Sequence, residues 1–102
     1  MVMKKRKIVW DKLALIYFSD AIRYIRKDSP NNADKVKTEI LEKISELSNH
    51  PEVHAPDKYK QSNTGHYRAF ELHRYRIAYL VKKDDEIIIA RVRHTSQEPQ
   101  QY

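Results

Sequence analysis

The chain has 102 residues, 20 Lys and Arg against 14 Asp and Glu (a net charge of +6), no cysteine and one glycine, Gly65. One glycine is too few for a dinucleotide fingerprint or a phosphate-cradling loop, and without cysteine there is no disulfide, thiolate metal site or cysteine nucleophile. The longest apolar run, Leu13–Phe18, is far short of the roughly 20 residues of a membrane helix, and the basic start Lys4–Lys7 lacks a signal-peptide core, so a cytoplasmic protein with no membrane partner is expected.

Residues 6–10 predict a short strand, and Asp11 offers a side-chain cap for the helix after it. Ala14, Tyr17, Phe18, Ala21, Ile22 and Ile25 recur at three- and four-residue spacing, one face of an amphipathic helix that should stop near Asp28. Ser29-Pro30 restarts a helix, with Ser as cap and Pro at the first helical position, where its missing N–H costs nothing. Ala33, Val36, Ile40, Leu41, Ile44 and Leu47 form its apolar stripe, ending at Asn49-His50-Pro51. So short a join predicts an antiparallel helical hairpin. Residues 50–66 carry Pro51, Pro56 and the cluster Ser62-Asn63-Thr64-Gly65, which predict a long irregular connection of the functional kind. Strands follow at 67–72, 75–82 and 86–93, rich in Tyr, Ile and Val.

The middle strand has one apolar face, Tyr75, Ile77, Tyr79 and Val81. In the last strand, burying Arg91 and Arg93 unpaired would be expensive, so the register is expected to set Ile88, Ala90 and Val92 beside Ile77 and Tyr79. Two-residue turns at His73-Arg74 and Asp84-Asp85 would do this, pairing Glu71 with Arg76 and Arg76 with Arg93. The expected fold is α+β in the order β-α-α-β-β-β, a single domain over 1–102. Its helical hairpin packs on one face of a small antiparallel sheet, covering Phe70, Leu72, Ile77, Tyr79, Ala90 and Val92. The opposite face displays Glu71, Arg76, Arg91 and Arg93.

Three arginines on one face repel one another, and each can fork onto phosphate or carboxylate, so that face suits an anionic partner. The plainer reading is a solvated face on which Glu71 pairs Arg76. Glu71, His73, His94 and Tyr102 are the titratable groups that could join a metal-free RNA-cleaving site. Equally, His94 reads as a hydrogen-bonded structural histidine and Tyr102 as a frayed tail. His50 and His54 have helical metal-ligand spacing, but Pro51 breaks the helix and no third ligand is evident, so neither metal nor cofactor is expected. Lys4–Lys7 reads as a solvated basic start.

Tyr67-Arg68-Ala69-Phe70-Glu71, Tyr75-Arg76-Ile77-Ala78-Tyr79 and Arg91-Val92-Arg93-His94 follow an Asp28-Ser29-Pro30 helix start and a Leu47…His50-Pro51 exit. In this order and spacing, over nearly the whole chain, they resemble the RelE/ParE superfamily of bacterial toxins. The resemblance implies the toxin of a type II toxin–antitoxin module, linked to growth inhibition and plasmid stabilisation, with a cognate antitoxin as partner. ParE-like members poison DNA gyrase; RelE-like members cleave mRNA on the ribosome. The Val92-x-His94 ending and the Ser29-Pro30 start look ParE-like. Where nucleases have a further arginine after the last strand, this chain has Thr95-Ser96-Gln97-Glu98-Pro99. A ParE-like, non-enzymatic gyrase inhibitor is therefore the leading expectation, with Arg68, Arg76, Arg91 and Arg93 as binding residues. Under the nuclease alternative, Arg76 would hold the phosphate and Glu71, His94 and Tyr102 would transfer protons. A third alternative is a degenerate member that only binds its antitoxin.

Overall fold

The structure, a computed structural model, describes residues 5–97 and 101–102. Lys4 of the basic start and Glu98-Pro99 of the tail lie outside the described residues. Lys7–Trp10 forms β1. Asp11 then caps α1, Lys12–Asp28: its carboxylate accepts from the N–H groups of Leu13 and Ala14 at 3.0 and 3.3 Å. Those are two of the donors that a helix start leaves unpaired. Ser29 serves both helices. Its N–H donates to the Ile25 carbonyl at the end of α1, and its hydroxyl accepts from Asn32 N–H at the start of α2, Pro30–Glu46.

The remaining elements are β2 (Tyr67–Leu72), β3 (Tyr75–Val81) and β4 (Glu86–His94). The sheet order is β1-β4-β3-β2. Pairing among β2, β3 and β4 is antiparallel as expected, whereas β1 runs parallel to β4, from Lys7 opposite Glu86 to Trp10 opposite Ile89. The sheet is therefore mixed, because the long path through the helical hairpin and β2–β3 returns the chain in β1's own direction.

Ala14, Phe18 and Ile22 of α1 and Ala33, Val36, Ile40 and Ile44 of α2 bury against Phe70, Ile77, Tyr79, Ile87, Ile89 and Val92 of the sheet. Tyr17 and Leu41, expected on the apolar stripes, are exposed. No helix among the described residues is long and apolar enough to cross a membrane.

The β2–β3 turn has two residues, and both are left-handed, His73 at φ 52° and Arg74 at φ 67°, as a twist-matched hairpin turn requires. It pairs Glu71 with Arg76 and Phe70 with Ile77 as expected. The β3–β4 connection differs. Lys82 N–H donates to the Glu86 carbonyl at 2.9 Å, leaving a three-residue loop, 83–85, that closes with Asp85 at φ 61°. The extra loop residue shifts the near end of the ladder, so Val81 faces Ile87 and Tyr79 faces Ile89. A bulge at Ala90 then restores the expected pairing, with Arg91 opposite Ala78 and Arg93 opposite Arg76. Consequently Ile87 and Ile89 are buried in place of Ile88 and Ala90, while Val92 is buried as expected. Three consecutive isoleucines leave the inward pair open in the sequence. The bulge lets the chain bury two of them and still keep both arginines outward.

Candidate functional site

The outer sheet face is not bare. Residues 55–57 run along the free edge of β2: Ala69 N–H donates to the Ala55 carbonyl, Pro56 bridges Arg68, and Asp57 N–H donates to the Tyr67 carbonyl at 2.8 Å. Asn63 braces this turn, donating to the carbonyls of Asp57 and Tyr67 and accepting from the N–H groups of Gly65 and Tyr67. Gly65 sits at φ +98°, where a side chain would be strained.

This edge segment carries Asp57 onto the arginine face, its side chain 1% exposed. One carboxylate oxygen accepts from Arg76 Nη2 at 2.8 Å and from Tyr59 N–H at 3.1 Å; the other accepts from the Tyr102 hydroxyl. Arg76 Nη1 donates to Glu71 at 2.7 Å, and its buried Nε has no hydrogen-bond partner among the described residues. The Tyr59 ring lies 4.8 Å from the Arg76 guanidinium and 5.2 Å from that of Arg93, and the Tyr102 ring lies 4.2 Å from that of Arg91. Tyr102 is anchored by its N–H to the Tyr59 carbonyl, and its own carbonyl accepts from Gln61 N–H.

The electrostatics follow from these contacts. Burial alone would raise the Asp57 carboxyl, but the Tyr102 hydroxyl and the Arg76 guanidinium outweigh it and hold the group below its ordinary value. Burial likewise opposes the charge on Arg76, and the two carboxylates overcome it, so that guanidinium holds its proton more tightly than usual. Burial and the Asp57 carboxylate push the Tyr102 hydroxyl well above its ordinary range. It stays protonated at neutral pH and is unfit to act as a base there.

Of the expected residues, Glu71, Arg76, Arg91, Arg93 and Tyr102 come together on this face. Two do not. Arg68 faces the other way, opposite the buried Tyr79, and donates to the His54 carbonyl at 2.6 Å. His94 lies beside Tyr75 on the helix side, its ring edge-on to Tyr75 and its Nδ1 accepting from Ser96 N–H at 3.0 Å. His73 pairs with Glu39 of α2. His54 stacks 4.9 Å from Phe70, and burial with the nearby Lys43 lowers its pKa. Sequence reasoning missed Asp57 and Tyr59. Their one signal was position, in a long connection ahead of a glycine turn.

No curated protein matches the chain. A family described as the ParE toxin of the type II toxin-antitoxin system, parDE, matches residues 8–99, from β1 through the strands that carry the arginine face. The chain belongs to that ParE toxin family.

Proposed function

We propose that this protein is a cytoplasmic toxin that inhibits DNA gyrase by binding it, without cleaving RNA, and that a cognate antitoxin neutralises it. One observation carries the choice between binding and cleavage: Arg76 already holds two carboxylates, Asp57 and Glu71. A phosphate placed there would meet two negative charges instead of a vacant fork. The proton-transfer candidates point the same way. Glu71 is engaged by Arg76, the Tyr102 hydroxyl by Asp57, and His94 is on the other face.

The antitoxin has a suitable seat on the same protein. β1 ends at Trp10, so among the described residues no strand pairs with β4 beyond Ile89 on that side. There, Leu13 and Tyr17 of α1 and Val92 of β4 line a groove of about 350 Å³, rimmed by Arg91 and Arg93. Leu13 and Tyr17 are 59% and 55% exposed, which suits an apolar segment carrying acidic side chains.

Purified protein should block gyrase-driven supercoiling and leave mRNA uncut on programmed ribosomes. Intact supercoiling with cut A-site codons would instead establish the nuclease reading. Activity in neither assay would mark a protein that only binds its antitoxin.

A further inference from the structure

Arg76 and Arg93 stand directly opposite each other across β3 and β4. Like charges in that position destabilise a sheet. Asp57 and Glu71 neutralise Arg76, but Arg93 has no carboxylate within ion-pair reach among the described residues, only the Tyr59 ring at 5.2 Å. Lys58 approaches the same ring, also at 5.2 Å, and it too lacks a carboxylate there. Two uncompensated cations thus flank one tyrosine. Beside them Lys60 lies 5.0 Å from the Tyr67 ring and 5.3 Å from the Tyr102 ring.

The depression between these groups holds about 10 Å³, room for about one water. A small anion has nowhere to enter, so the ligand must lie across the face and present negative charge along its length. The Tyr59 ring is already covered by Lys58, Arg76 and Arg93, so nucleobases cannot stack on it. What remains available is contact with a backbone of phosphates. Asp57 and Glu71 are both engaged by Arg76, Glu71 remaining half exposed. Beyond them Lys58, Lys60 and Arg93 repeat positive charge along the face, which suits regularly spaced phosphates better than the scattered carboxylates of a protein surface.

We propose that Lys58, Tyr59 and Arg93 form a phosphodiester-binding corner that holds the DNA backbone while the toxin sits on gyrase. This rests on the gyrase reading, because gyrase presents DNA beside its own surface. The corner reads no sequence: it supplies charge and register, and its contribution falls steeply with salt.

The test is fluorescence anisotropy of a short labelled duplex with the whole protein, alongside binding to DNA-free gyrase. Wild type should bind the duplex at low salt. Arg93→Gln and Lys58→Gln should each weaken it about fivefold and reduce the slope of log affinity on log salt by about one. Lys37→Gln, on the exposed side of α2, should change neither. Binding to DNA-free gyrase should survive Lys58→Gln. The proposal is overturned if the duplex is not bound, if Lys37→Gln weakens it equally, or if Lys58→Gln lowers affinity for DNA-free gyrase alone. That last result would assign the corner to an acidic protein surface. If supercoiling is untouched while Arg93-dependent duplex binding persists, the gyrase reading fails and the DNA site stands.

Discussion

Removing the Asp57 carboxylate would leave Arg76 with Glu71 alone and the Tyr102 hydroxyl without its acceptor. Breaking a buried charge pair on one side strands the other charge, so Asp57→Ala should cost about 2–4 kcal/mol in urea unfolding. Asp57 also sets an acid limb. Its carboxyl lies below the ordinary 3.8 in the folded protein, so the unfolded chain takes up the proton first. The stability from this group is complete above that value and is lost as pH falls through the native pKa. Wild-type urea midpoints should therefore drop more steeply below about pH 4 than those of Asp57→Asn. Arg93 predicts the opposite pattern. Because it repels Arg76 across the ladder, Arg93→Gln should melt at or above the wild-type temperature while losing growth arrest. A cooperative melt well below wild type would show that Arg93 is there to hold the sheet. Arg76→Ala is the weaker probe of function, since it strands the buried Asp57 carboxylate as well.

The hairpin turns carry their own conformational cost. Arg74 is left-handed at φ 67°, and among the described residues its side chain makes no hydrogen bond or ion pair, while its backbone carbonyl accepts from Thr95 N–H. Glycine adopts that conformation freely, so Arg74→Gly should stabilise the protein by about 0.5–1 kcal/mol in thermal or urea unfolding. Much of this scale was legible beforehand because its signals are local. Asp11 caps α1 from within its own first turn, and Ser29-Pro30 marks both the end of one helix and the start of the next. The His73-Arg74 turn followed from burial on both flanking strands. The β3–β4 end was not legible, because two solutions satisfy the same arginine pairing: a two-residue turn with a regular strand, or a three-residue loop with a bulge at Ala90. Only packing against Tyr79 separates them, in favour of Ile89. Asp57 was hidden for a related reason. Its partners Arg76 and Tyr102 are far along the chain, and a loop has no periodicity to announce an inward side chain. Arg68, named as a binding residue from the resemblance, pairs with the buried Tyr79 and so points away from Arg76, because neighbouring strand residues alternate sides.

At the scale of the whole molecule, the +6 charge resolves into distinct uses. Arg76 is neutralised inside the fold, whereas Arg91 and Arg93 also rim the groove against α1. An antitoxin seated there would cover part of the arginine face, so neutralisation and target binding should exclude one another. Tyr17→Glu, on the exposed side of α1, should weaken the antitoxin complex at least tenfold by calorimetry, about 1.4 kcal/mol or more, and leave supercoiling inhibition intact. Unchanged affinity would place the antitoxin elsewhere. The parallel pairing of β1 has a separate consequence, for solubility. β4 carries Ile87, Ile88 and Ile89 in a row, and β1 is the strand that covers its outer edge over those three positions. Without it, three adjacent isoleucines would lie along an unpaired edge, a template onto which strands from other copies can add. A chain shortened to begin after Trp10 should therefore form thioflavin-positive aggregates at concentrations where the full chain stays clear. The four-residue strand β1 thus guards this protein against assembling with itself.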